Sequence, residues 1–125
     1  MTLGVFLLLA VAGGLGAGTR FVVDGLISSK LTSAFPWSTV IINTSGSLVL
    51  GAITGLVASS IPATDLGPVV GAGFLGGYTT FSTASYETVL LIRDKRYGHA
   101  FAYSVGTLVA CVVLAYAGYR WGASM

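Results

Sequence analysis

A chain of 125 residues with 54% hydrophobic residues, 8% charged ones and a formal net charge of +2 lies far from soluble globular proteins, in which about a quarter of residues are charged. The composition excludes a soluble enzyme and a nucleic-acid binder, and it fits an integral membrane protein. The length leaves room for about four spans of roughly 20–25 residues, so residues 1–125 read as one four-helix membrane domain.

The first apolar segment, 2–27, opens MTLGVFLLLAVAGG. It lacks a basic n-region and stays apolar past any cleavage site, so it reads as a span and not as a removable signal. Near its end, in GLGAGTRF, Arg20 has two readings: a side chain snorkelling to the headgroups, or a group at the mouth of an anion path. The second segment, 37–59, holds Asn43 within IINTSGSLVLG. Thr39, Asn43, Gly46 and Ser47 recur there at three- or four-residue spacing and share one helix face. Asn43 itself reads equally as an interhelical clasp and as a lining group.

The third segment, 67–92, contains GFLGGYTTFSTASYE, with two adjacent glycines, five Ser and Thr hydroxyls and the carboxylate of Glu87. Glycine costs about 1 kcal/mol in a helix interior and Thr hydroxyls compete for backbone groups. The Gly76-Gly77 and Thr79-Thr80 pairs therefore predict a helix broken mid-membrane, its freed carbonyls buried in protein or lining a cavity. Phe81, beside the break, reads as core filling or as a ring whose electropositive edge meets an anion. The fourth segment, 99–121, carries Tyr103, Thr107 and Cys111 at four-residue steps, with Ser104 adjacent. Cys111, the sole cysteine, can form no intrachain disulfide and reads as packing. Links SSKLTSAFP, SIPATDL and RDKRYG separate the segments, and the spacings of Gly14 with Gly18, Gly51 with Gly55, and Gly73 with Gly77 predict close helix contacts.

An ionised group in a bilayer costs at least about 2.5–3.5 kcal/mol, so polar groups inside spans face protein or water. Stripes of hydroxyls and amides on two helices, with scarcely any fixed charge, would dehydrate a small ion in steps without trapping it. Four spans without an extramembrane domain argue against an enzyme. So small a bundle does not enclose a pathway alone, which predicts an oligomer.

Three motifs resemble one family: GLGAGTRF, the Asn43, Gly46, Ser47, Gly51 pattern, and above all GFLGGYTTFST. Over essentially its whole length the chain is similar to the small bacterial fluoride channels called Fluc or CrcB. The resemblance implies an all-α, dual-topology antiparallel dimer of four-helix subunits in the bacterial cytoplasmic membrane, exporting fluoride passively and relieving its toxicity. It implies a structural sodium ion (Na+) at the dimer interface, held by the carbonyls of Gly76 and Thr79. The fluoride path would be lined by the Asn43 amide and the Phe81 ring edge. Ser82, Thr83, Tyr103, Thr107 and Cys111 look like the family's polar track, Glu87 like its terminal acid, and Arg20 like its vestibule residue.

The family motif usually continues TTFSTF, whereas this chain reads TTFSTA, with Ala84 in place of a second ring. Lys30, Arg93, Lys95 and Arg96 lie on the first and third links, and Arg120 is the only basic side chain at the other end. That bias places the first and third links in the cytoplasm. Together with Ala84 it suggests an antiparallel heterodimer with a second, oppositely biased homologous chain in place of a homodimer. Two alternatives stand beside the channel. One is a small proton-coupled multidrug exporter, which needs a first-span acid where this chain has only Asp24 near the end; the other is a structural subunit of a heterodimeric channel. Fluoride ion and membrane lipid are the other expected partners.

Overall fold

The computed structural model describes residues 1–59 and 66–125. Every described element is helical: α1 (Leu3–Lys30), α2 (Trp37–Ser59), α3 (Leu66–Pro68), a π-helical stretch (Val69–Leu75), α4 (Gly76–Tyr78), α5 (Ser82–Arg93) and α6 (Tyr97–Ala123). Among them α1, α2 and α6 are long and apolar enough to cross a membrane. The expected SIPATDL link lies, apart from Leu66, outside the described residues.

Lipid offers backbone groups no partners, so apolar runs of this length close their hydrogen bonds within one helix. Thr2 starts α1 by accepting the Val5 N–H on its hydroxyl at 3.2 Å, the usual role of a side chain at that position. The helix runs a turn beyond residue 27, where the apolar pattern had ended. Ser29 bonds back to the Leu26 carbonyl at 2.8 Å, and Lys30 places its charge at the negative end of the helix. α6 likewise extends past its expected limits of 99 and 121 at both ends.

Two glycine-mediated contacts assemble the bundle. A Cβ added at Gly51 or Gly55 would strike the main chain of Ala115 or Tyr119, and one at Gly118 or Gly122 that of Leu48 or Ala52. Residue numbers rise together along this contact, so α2 and α6 run parallel with their backbones touching. Small residues four apart on each helix permit that approach. α1 packs in the same way on the third region: Gly16 meets the Phe74 carbonyl, and Gly77 meets the Gly13 carbonyl.

Two sequence expectations are corrected. Gly14 and Gly18 have open space beside them and lie exposed. Each residue turns a helix by about 100°, so the contact face passes through Gly13 and Gly16 instead. Gly76 and Gly77 also remain helical, and the backbone becomes extended only at Thr79 (φ −81°, ψ 164°) before helix resumes at Ser82. Gly77 serves close approach to α1, not interruption of the helix.

Overfilling such a contact costs about 1–3 kcal/mol. Gly51→Val should lose that much stability in a denaturant titration of the detergent-solubilised protein. Gly98→Ala, which has open space, should lose less than about 0.5 kcal/mol. Equal stability of Gly51→Val and the parent would contradict the backbone contact.

Candidate functional site

The break between α4 and α5, Thr79 to Phe81, is held by one side chain. Asn43, on α2, donates from Nδ2 to the Thr80 carbonyl at 2.7 Å and accepts the Thr80 N–H on Oδ1 at 2.8 Å. A primary amide carries a donor and an acceptor side by side, so it matches both main-chain groups of one residue at once. Its second N–H has no partner among the described residues.

This pairing changes what neighbouring carbonyls see. In a continuous helix the Thr80 N–H would donate to Gly76 and the Thr83 N–H to Thr79. Here Thr80 donates to Asn43, and Thr83 donates to the Thr80 hydroxyl at 3.1 Å. Two diverted donors leave the Gly76 and Thr79 carbonyls without their helical partners. Thr79 is fixed in turn by its N–H and its hydroxyl, which reach the Leu75 carbonyl at 2.9 and 2.8 Å.

On the other side of Thr80, Glu87 is pinned by two hydroxyls. Thr39 donates to its Oε1 at 2.5 Å and Tyr103 to the same oxygen at 3.1 Å. Tyr103 is only 1% exposed, and its ring is set by the edge of Phe35 at 5.6 Å and by packing against Leu91 and Ala100. A carboxylate so engaged is held in one orientation at the edge of the smaller hollow. Nearby, the Ser38 hydroxyl on α2 donates to Asp24 on α1.

Two hollows flank this partition. A cavity of about 650 Å³ is lined by Asn43, Ser47, Tyr103, Thr107 and Cys111 along α2 and α6, and by Gly76, Thr79, Thr80, Phe81 and Ala84 on the third region. A smaller one of about 270 Å³ gathers Arg20, Asp24, Thr39, Thr83 and Glu87. Thr80 borders both.

An anion needs protons pointed at it, and the hydroxyls of the larger cavity differ sharply in this respect. Ser85, Thr88 and Ser104 donate to the carbonyls of Phe81, Ala84 and Ala100 at 3.0, 2.8 and 2.8 Å, so their protons are committed. The Thr107 hydroxyl is buried with no partner among the described residues. Together with the Thr80 hydroxyl, Ser47 and the spare amide proton of Asn43, it makes a wall of available, uncharged donors.

The family described as "CrcB-like protein, Camphor Resistance (CrcB)" matches residues 7–119. The chain belongs to the CrcB family. It is 45% identical over 108 residues to a protein of Leifsonia xyli named fluoride-specific ion channel FluC 1, covering 86% of this chain and 79% of that one. It is 36% identical over 120 residues to a Thermus thermophilus protein named fluoride-specific ion channel FluC, covering 96% of both. A Nitrobacter hamburgensis protein named fluoride-specific ion channel FluC 2 is 41% identical over 114 residues, covering 90% and 92%. As a CrcB protein with three helices among the described residues long and apolar enough to cross a membrane, it is a multi-pass bacterial membrane protein, not an enzyme.

The site residues expected from sequence fall into two groups. Asn43, Gly76, Thr79, Phe81, Tyr103, Thr107 and Cys111 line the larger cavity, whereas Arg20, Thr83 and Glu87 line the smaller. Phe81 is 87% exposed, and Ser82 is exposed and borders neither hollow. Thr39, Thr80 and Asp24 complete the arrangement without having been assigned roles from sequence. The α2 stripe already carried the signal for Thr39, and the Thr79-Thr80 pair that for the break; the main-chain pairing of Thr80 with Asn43 left none.

Hydrogen bonds to ionised groups contribute about 1.5–3 kcal/mol. Thr39→Val should therefore destabilise the protein by roughly 1–3 kcal/mol, discounted for the partial exposure of Glu87, while Thr39→Ser should lose less than half as much. Denaturation of both variants in detergent checks this; equal losses would place the effect in packing and not in the carboxylate.

Proposed function

We propose that this chain is a subunit of a fluoride-selective channel that lets the ion leave the cell passively. The observation that carries the reading is the wall of uncharged donors beside Asn43, in a chain whose relatives are named fluoride-specific ion channels. Fluoride is small and strongly hydrated, so selectivity has to come from donors that replace its water shell without forming a deep electrostatic trap. Arg20 draws anions to the smaller hollow, and Glu87, tied down by Thr39 and Tyr103, is kept from opposing them.

The third region, from α3 to α5, serves in this reading as a fourth membrane crossing with its break at Thr79 to Phe81. The exposed Phe81 ring and the open Gly76 face support an antiparallel dimer, because a second subunit would cover both. A sodium ion fits between such subunits: hard cations take oxygen ligands, and Gly76 and Thr79 offer carbonyls relieved of their helical donors. When bound, sodium would hold the two interrupted segments together. Fluoride passes along Asn43, Phe81, Thr83, Tyr103, Thr107 and Cys111, with Ser82 contributing at the break.

Ala84 lines the larger cavity where the family has a second ring. That gap, and the basic bias towards Lys30, Arg93, Lys95 and Arg96, favour a heterodimer with a homologous chain of opposite bias.

Efflux from proteoliposomes, followed with a fluoride electrode and a chloride electrode in parallel, tests the reading. Fluoride release without chloride release is expected from the channel-forming dimer, and Asn43→Asp should suppress it at least about tenfold by placing a charge in the path. Release of both halides, or unchanged flux in Asn43→Asp, would contradict it. The heterodimer is tested separately: the purified chain alone should conduct poorly, and robust flux from it would favour the homodimer.

A further inference from the structure

Three charged side chains border the smaller hollow, Arg20 and Asp24 on α1 and Glu87 on α5, and they are not equally engaged. Two consecutive residues at the start of α2 hold both acids. The Ser38 hydroxyl donates to Oδ1 of Asp24, and the Thr39 hydroxyl donates to Oε1 of Glu87 at 2.5 Å. Successive helical residues point about 100° apart, so one turn of α2 reaches a carboxylate on each of its flanks. Ser38 and Thr39 are 9% and 4% exposed, so packing holds both donors in place.

Arg20 has no ion pair or hydrogen bond among the described residues, although a carboxylate stands four positions along the same helix. Side chains at that spacing are neighbours, about 5–6 Å apart at Cβ, and opposite charges there attract. The attraction grows in a hollow of about 270 Å³ walled by protein, where the effective dielectric lies well below that of water. Asp24 is instead drawn sideways. Ser38 is the second residue of α2, so the carboxylate lies at the positive end of that helix, and Ser28 approaches the same oxygen at 3.5 Å.

We propose that Ser38 is a positioning residue for anion entry: by holding Asp24 it keeps that carboxylate off Arg20, and the guanidinium stays open to a small anion in the smaller hollow. The inference rests on the channel reading above and deepens it. Among the described residues Arg20 is the only cationic side chain that lines this hollow. Free, it offers N–H donors and a permanent charge; paired with Asp24, it would present a neutral couple beside the charge of Glu87. The Ser38 hydroxyl thus decides which of the two an arriving anion meets.

Two measurements test it in membranes containing the full channel-forming assembly. Ser38→Ala frees Asp24 to turn towards Arg20, so the initial rate of fluoride efflux at low ionic strength should fall at least about threefold. Asp24→Asn in the Ser38→Ala background removes the competing charge and should restore most of that rate. Undiminished efflux in Ser38→Ala would overturn the proposal, and so would a loss that persists in the double variant, because packing of α1 on α2 would then explain it. Arg20 supplies a readout that needs no conduction. Phenylglyoxal, which attacks guanidinium groups, should label Arg20 several-fold more slowly in Ser38→Ala than in the parent or the double variant, as followed by mass spectrometry of the peptide that carries it. Equal labelling in all three would remove Arg20 from the control of Ser38. The expected labelling in a parent that releases no fluoride would count against the channel reading and leave the hold of Ser38 on Asp24 standing.

Discussion

Two hydrogen bonds between the Asn43 amide and the main chain of Thr80 decide the shape of the site. A residue between two helices that belongs to neither leaves an N–H and a C=O unpaired, and in a membrane each such group costs several kcal/mol. One side chain on a neighbouring helix satisfies both at once. In doing so it takes the N–H that Gly76 would otherwise receive, while the Thr80 hydroxyl takes the one due to Thr79. The break and the free Gly76 carbonyl thus follow from one pairing, and the free Thr79 carbonyl from the Thr80 hydroxyl beside it.

The rest of the bundle keeps that pairing in register. Asn43 can reach Thr80 only while α2 holds its place beside the third region, and α2 is fixed by glycine contacts to α6. On the opposite flank, Gly16 and Gly77 bring α1 against α4, so the extended residues are approached from two sides. Glu87 belongs to the same scheme. A carboxylate beside an anion route repels its cargo, and the Thr39 and Tyr103 hydroxyls offset this by donating two protons to its Oε1. The Phe35 edge against Tyr103 makes that orientation part of the core.

Much of this was legible in the sequence because helical period alone places residues four apart on one face. For that reason Asn43, Ser47, Tyr103, Thr107 and Cys111 border one cavity, while Thr39, a step earlier on α2, meets Glu87 and the smaller hollow. Other parts were not. The Gly76-Gly77 pair signals weak helix propensity, yet Gly77 is needed for contact with α1 and stays helical, so the departure falls two residues later. Gly14 and Gly18 have suitable spacing but face outward, and spacing by itself does not reveal which way a helix is turned. The Thr79-Thr80 pair marked the break, but the partner of Thr80 was hidden because its main chain makes the bonds. Whether a Ser or Thr proton is free also escapes the sequence: Ser104 and Thr107 look alike there, although Ser104 bonds to Ala100 and Thr107 has no partner among the described residues.

Exchange of the Thr80 amide proton, measured residue by residue in the reconstituted protein and in Asn43→Ala, tests the controlling interaction most directly. The parent should exchange this proton at least about tenfold more slowly, corresponding to about 1.4 kcal/mol or more of protection. Equal rates in the two proteins would mean that Asn43 does not hold the main chain of Thr80, and the account of the site would lose its basis.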